Sequence, residues 1–114
     1  MKTDIKELWV AALESGEYEQ TVGRLRKDGD KFCCLGVLCN LHAQAHPDIA
    51  AIQKSCNEYM GCTAGLPEAV MKWAGINDSL GGNIAINGET SRLAGHNDRG
   101  RTFKEIAQAI RDQL

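Results

Sequence analysis

No stretch of the chain approaches the roughly 20 apolar residues that a membrane-spanning helix needs. The start, Met1-Lys2-Thr3-Asp4, lacks the apolar segment of a secretion signal. A membrane partner is therefore not expected, and the expected location is the cytoplasm. An excess of one charge is also missing. Lys and Arg number 13 against 15 Asp and Glu, a net charge of −2, so the chain as a whole offers no electrostatic case for long nucleic acid. No Cys-x-x-Cys pair, internal repeat, linker or low-complexity tract occurs. Five cysteines are an odd number and fit a closed disulfide framework poorly, so reduced thiols are expected. Hydrophobic content of 43% and charged content of 25% are ordinary, and 114 residues suit one domain spanning 1–114.

What is present concentrates in one place. Phe32-Cys33-Cys34-Leu35-Gly36-Val37-Leu38-Cys39 puts three of the five cysteines into one apolar run. Just upstream lies a basic segment, Gly23-Arg24-Leu25-Arg26-Lys27-Asp28-Gly29-Asp30-Lys31. Asp28-Gly29 is a hairpin signal. A two-residue loop would pair Lys27 with Asp30, Arg26 with Lys31, Leu25 with Phe32 and Arg24 with Cys33. Alternation would then place Arg24, Arg26 and Lys31 on one face, where like charges repel unless solvent or an anion sits between them.

The rest reads as helices joined by short strands. Ile5, Leu8, Trp9, Ala12 and Leu13 form a helical stripe, with Asp4 and Glu7 as a capping pair and Gly16 as the stop. A second helix is expected from Cys34 to His46, ended by Pro47. It buries Leu35, Leu38, Leu41 or His42, and Ala45. Gly36 inside it costs roughly 1 kcal/mol against alanine, which points to close approach of another backbone or of a ligand. Asp48 to Ile52 suggests a helical turn, and Ser55 to Gly65 a polar loop. Pro67 opens a helix through Val70, Met71 and Trp73 that stops at Gly75. A strand is expected at Ile84-Ala85-Ile86, a short helix capped by Thr90, and a turn at Asn97-Asp98-Arg99-Gly100. Thr102-Phe103-Lys104-Glu105 is a capping box opening the last helix, whose stripe is Phe103, Ile106, Ala107 and Ile110. The expected fold class is α+β, about four helices on short antiparallel hairpin strands.

Two basic groups suggest anion binding: Arg24, Arg26 and Lys31 on the hairpin, and Arg92, Arg99 and Arg101 near the last helix, whose first amides add donors. The plain alternative is solvated surface. Asn97 and Asp98 suit a turn, and equally the reading of a base or ribose. Tyr18, flanked by Glu17 and Gln20, is the candidate to stack on a ring, whereas Trp9 and Trp73 sit at core spacing. Cys39, His42 and His46 share a helix face and, with Cys33, Cys34, Cys56 or Cys62, would complete a zinc set. The same thiols serve equally as small core hydrophobes. A thiol nucleophile activated by His42 or His96 is a further alternative. No catalytic, metal or cofactor residue is assigned.

These motifs resemble a family of small bacteriophage proteins. The resemblance rests on Trp9 to Leu13, Gly23 to Arg26, Phe32 to Cys39, Leu66 to Gly75, Leu93 to Asp98 and Phe103 to Ala107, and departs from the usual pattern at Gly95-His96. A looser similarity joins it to bacterial domains of unknown function. The resemblance implies a small protein acting in the host cytoplasm. By analogy with other small phage proteins it implies an anti-defence sponge, a homo-oligomer that holds a nucleotide-like immune signal without cleaving it. Its ligand would be met by Tyr18, Gln20, Arg24, Arg26, Lys31, Asn97, Asp98, Arg99 and Arg101. The alternatives are a small phosphodiester hydrolase, a protein–protein inhibitor of a host factor, and a metal-stabilised module.

Overall fold

The computed structural model describes residues 1–51 and 58–114. The expectations for Ile52, Ser55 and Cys56 lie outside them. Helix α1 (Thr3–Glu14) leads to three two-residue strands, β1 (Glu19–Gln20), β2 (Arg26–Lys27) and β3 (Lys31–Phe32). Helices α2 (Cys34–Ala45), α3 (Pro47–Ala51) and α4 (Glu68–Ala74) follow. The hairpin β4 (Asn83–Ile86) and β5 (Glu89–Arg92), then α5 (Leu93–Asp98) and α6 (Phe103–Gln113), complete an α+β domain. None of these helices is long and apolar enough to cross a membrane.

The apolar run 32–39 organises the molecule. Cys34 to Cys39 are all buried, and α2 packs against α1, α4 and α5. Trp9, fully buried, donates its indole N–H to the Cys34 carbonyl at 2.9 Å and ties α1 to the first turn of α2. α1 lies along α6, where Glu14 and Arg111 meet at 2.7 Å. The buried face of α1 is Ile5, Trp9, Val10 and Leu13. Leu8, expected inside, is 52% exposed, because packing against both α2 and α6 turns Val10 inward instead. The expected cap is also absent: α1 begins after Lys2 with no side-chain cap, and the Lys2 amide donates to the Ala74 carbonyl. The helix start is therefore set by tertiary contact.

β3 is the centre of a three-stranded sheet, parallel to β1 and antiparallel to β2. The observed register pairs Arg26 with Phe32 and Lys27 with Lys31. The loop is therefore Asp28-Gly29-Asp30, with Asp28 and Gly29 at φ 55° and 79°, and the expected register is off by one. That slip moves every side chain to the opposite face. Arg26 now shares a face with Phe32, and Arg24 lies outside the strand. The like-charged Lys27 and Lys31 face each other, eased by Asp28, 3.9 Å from Lys31 Nζ.

The close approach expected at Gly36 is made by Leu25. A Cβ on Gly36 would overlap the Leu25 carbonyl oxygen and press on its carbon. That carbonyl also accepts from the Cys33 amide at 3.2 Å, and the Leu25 amide donates to Thr63 O at 2.7 Å. Near the C-terminus, Asn87-Gly88 forms a two-residue hairpin turn, with Ile86 opposite Glu89. Thr90 therefore lies in β5, and Arg92 is the N-cap of α5. Asn97 and Asp98 form the last turn of α5, not a free turn. The Thr102–Glu105 capping box is present as expected.

Candidate functional site

Where Gly36 lets Leu25 approach α2, a groove opens beside the contact. Its volume is about 160 Å³, and its floor and walls include Leu25, Phe32, Gly36, Ala43 and Tyr59. Three other side chains bring polarity to it: Arg26, Asn40 and Glu58. An apolar lining with a few placed polar groups is the ordinary composition of a small-molecule site.

Each polar group is held by the local fold. The Arg26 guanidinium stands 4.9 Å from the Phe32 ring centroid, with Nε donating to the Gly29 carbonyl at 2.7 Å. One edge of the guanidinium is thereby committed, and its terminal nitrogens make no hydrogen bond among the described residues. Asn40 donates one amide N–H to the Tyr18 hydroxyl at 2.8 Å. Tyr18 itself is half-buried and packs at a right angle to Phe32, ring centroids 5.1 Å apart, behind the residues that line the groove.

The second pair of sequence candidates occupies an interior junction. Asn97 is fully buried. Its Oδ1 accepts from Gln20 Nε2 at 2.9 Å and from the Cys34 amide at 3.1 Å, and its Nδ2 donates to Thr21 O at 2.7 Å. Gln20 also donates to Arg101 O at 2.7 Å. Asp98 accepts from the Gly23 amide at 2.8 Å. Asn97 and Asp98 therefore hold the first turn of α2 and the 20–23 segment that leads to Leu25 and Arg26. They position the groove without lining it.

The other basic residues lie outside the groove. Arg99 pairs with Glu89 at 2.8 Å and Arg101 with Glu105 at 3.5 Å. Arg92 pairs with Asp78 at 3.2 Å. At the start of α6 the Glu105 amide donates to Thr102 Oγ1 and the Thr102 amide to Glu105 Oε1, so the capping box itself uses part of the donor set expected there for an anion. Arg24 is exposed and makes no hydrogen bond or ion pair among the described residues.

Cys33, Cys34 and Cys39 are core groups. Burial pushes Cys33 up to about 11, and Cys34 and Cys39 well above the usual thiol value, so none supplies a thiolate at neutral pH. Burial likewise pushes Tyr59 up to about 12. Its hydroxyl is hydrogen-bonded to His42 Nδ1 at 2.6 Å, while His46 Nδ1 donates to the His42 carbonyl at 2.8 Å. The two imidazoles stack at 4.1 Å with Trp73 edge-on to both. Among the described residues no three His, Cys, Asp or Glu side chains are placed to hold a metal ion. His96, the other candidate base, is buried on the Ile84 carbonyl at 2.6 Å.

Burial, and then the neighbouring His46, hold His42 below its ordinary 6.5. The unfolded chain thus binds a proton more readily, and this contribution is complete above about pH 6.5 and lost as pH falls further. The unfolding midpoint is expected to drop from pH 7 to pH 5, and the slope to flatten in His42→Gln. The lowered carboxyls of Glu14, Glu89 and Glu105 act in a separate window, below 4.5, so calorimetric scans across pH resolve the two.

Tyr59 stands in the sequence with Tyr18 as a ring that could stack on a ligand, whereas Asn40 and Glu58 escaped the sequence reading. Asn40 sits in the helical run where only apolar spacing was informative, and Glu58 lies in the segment with no periodic pattern. No curated protein and no solved structure matches the chain at a significant level. A family model described as a domain of unknown function, DUF8296, matches residues 1–114, and the chain belongs to that family.

Proposed function

We propose that this chain is a phage-type binding protein that sequesters a nucleotide-like anion of host immune signalling, without cleaving it, in the groove between β2–β3 and α2. The carrying observation is the Arg26 guanidinium, fixed over Phe32 at the edge of an apolar groove. A planar ring is favoured by the groove's aromatic walls and a phosphate by the guanidinium. Exposed Arg24 adds a second positive charge on the same segment. Holding is favoured over hydrolysis because Cys39 and Tyr59, the groove's potential nucleophiles, are both kept protonated by burial. A homo-oligomeric state and action in the host cytoplasm belong to the same proposal.

The test is thermal unfolding with a panel of linear and cyclic nucleotides. A ligand at a hundred times its dissociation constant adds about 2.7 kcal/mol, a rise of about 10 °C in a domain of this size. That shift is expected to shrink by more than half in Arg26→Ala and by less in Arg24→Ala. Among the described residues Arg24 has no hydrogen bond or ion pair to lose, so its variant should match the parent's midpoint without ligand. Recovery of unchanged nucleotide afterwards separates holding from hydrolysis. No shift with any nucleotide would sink the proposal and turn the search to protein partners.

A further inference from the structure

β4 lies at the margin of its sheet. β5 pairs with one side of it, and among the described residues no strand pairs with the other. Ile84 and Ile86 are buried, while Asn83 and Ala85 alternate with them on the exposed face. An open strand edge offers backbone donors and acceptors with which another chain can pair. At Ala85 that pairing is already made by one side chain. The Ala85 amide donates to Gln113 Oε1 at 2.9 Å, and Gln113 Nε2 donates to the Ala85 carbonyl at 2.6 Å. A primary amide carries the same donor and acceptor as a peptide group, so Gln113 stands in for one residue of a third strand. Gln113 is exposed, and rotation of its side chain into solvent frees both groups of Ala85 without moving the backbone.

Beside this contact a channel of about 300 Å³ opens between β4 and α6. Ala85 and Ala109 are the small residues of its lining, Glu105 and Asp112 the charged ones, and no lysine or arginine lines it among the described residues. Arg101 stands 3.5 Å from Glu105. Asp112 accepts from Gln108 at 2.9 Å and makes no ion pair among the described residues, so its charge is left for a partner. We propose that this edge docks an extended basic peptide segment of another protein, which displaces the Gln113 amide and adds to β4 as a third strand. Main-chain bonds to Ala85 supply the attachment, and the acidic side of the channel selects lysine or arginine over acidic residues. The site is separate from the groove beside Gly36 and stands or falls without it.

The experiment is fluorescence anisotropy with three labelled, acetylated hexapeptides: alternating valine and lysine, alternating valine and glutamate, and the lysine peptide with its valine amides N-methylated. The parent chain is expected to bind the lysine peptide about tenfold more tightly than the glutamate peptide, and the N-methylated peptide not at all. Gln113→Ala should bind the lysine peptide about fivefold more tightly than the parent, because the internal amide no longer competes for Ala85. Asp112→Lys, at an exposed position, should lose the preference for the lysine peptide. A merely structural role for Gln113 would instead weaken binding along with the unfolding midpoint. Equal binding of the lysine and glutamate peptides, binding of the N-methylated peptide, or no gain in Gln113→Ala would overturn the proposal. Self-association of Gln113→Ala without peptide binding would overturn it as well and assign the edge to a second copy of the chain.

Discussion

Gly36→Ala is expected to destabilise the protein by about 3 kcal/mol or more. The direction is what makes the substitution informative. Glycine in a helix interior is ordinarily worse than alanine by roughly 0.5–1 kcal/mol, so helix propensity alone predicts a gain. Here the added methyl meets backbone, the Leu25 carbonyl carbon and oxygen, not a side chain that can turn aside. Leu25 is held on both sides, by Thr63 and by Cys33, so relief requires moving the 21–26 segment off α2. In a domain of this size the loss corresponds to a fall of about 10–20 °C in the midpoint. Denaturant titration measures it directly, and a gain in stability would show that the Leu25–Gly36 contact is not tight. Because Leu25 and Gly36 both line the groove, whatever ligand binding survives should weaken with it.

Asn97→Ala is expected to be about as damaging, at roughly 3–5 kcal/mol. The substitution strands the Cys34 amide and the Thr21 carbonyl and takes one acceptor from Gln20. Each buried polar group left unpaired carries about 1–3 kcal/mol. Asn97→Asp separates hydrogen bonding from shape. Its oxygens can still accept from Cys34 and Gln20, but the ionised carboxyl cannot donate to Thr21 and puts a charge at a fully buried position. Its deficit should therefore narrow on acidification toward pH 5, where a protonated carboxyl regains the donor. Asp98→Ala, at an exposed position with one bond to Gly23, should cost about 1 kcal/mol. Chemical denaturation of the three variants ranks them, and near-equal losses for Asn97→Ala and Asp98→Ala would deny Asn97 its place at the junction.

These two positions also show what a sequence of this kind discloses. Gly36 was legible because glycine in a strongly apolar helix has few explanations, and close backbone approach is one of them. The helix of the Phe32–Cys39 run, the helix stopped by Gly75 and the Thr102–Glu105 box were legible for the same reason: each depends on spacing and local caps. The hairpin register was not. Asp28-Gly29 signals a turn, but two- and three-residue loops share that signal, and the choice moved Arg26 from a shared basic face onto Phe32. Asn97 and Gln20 were noticed as polar residues at odd places. Their partners lie 63 to 77 residues away in the chain, so only the fold shows that their hydrogen bonds are spent on backbone and on each other. Asn87-Gly88 carried a hairpin signal of its own, and with it β5 was within reach.

The central claim is that the groove beside Gly36, and not the Arg99–Arg101 loop, takes an anionic ring compound. Amide chemical-shift mapping on uniformly labelled protein during titration with 5′-AMP tests it most directly. The predicted result is saturable shifts at Gly36, Tyr59 and the Asn40 side-chain amide, with Arg99 to Thr102 unmoved. Shifts confined to residues 99–102, or none at either place at millimolar nucleotide, would contradict the account.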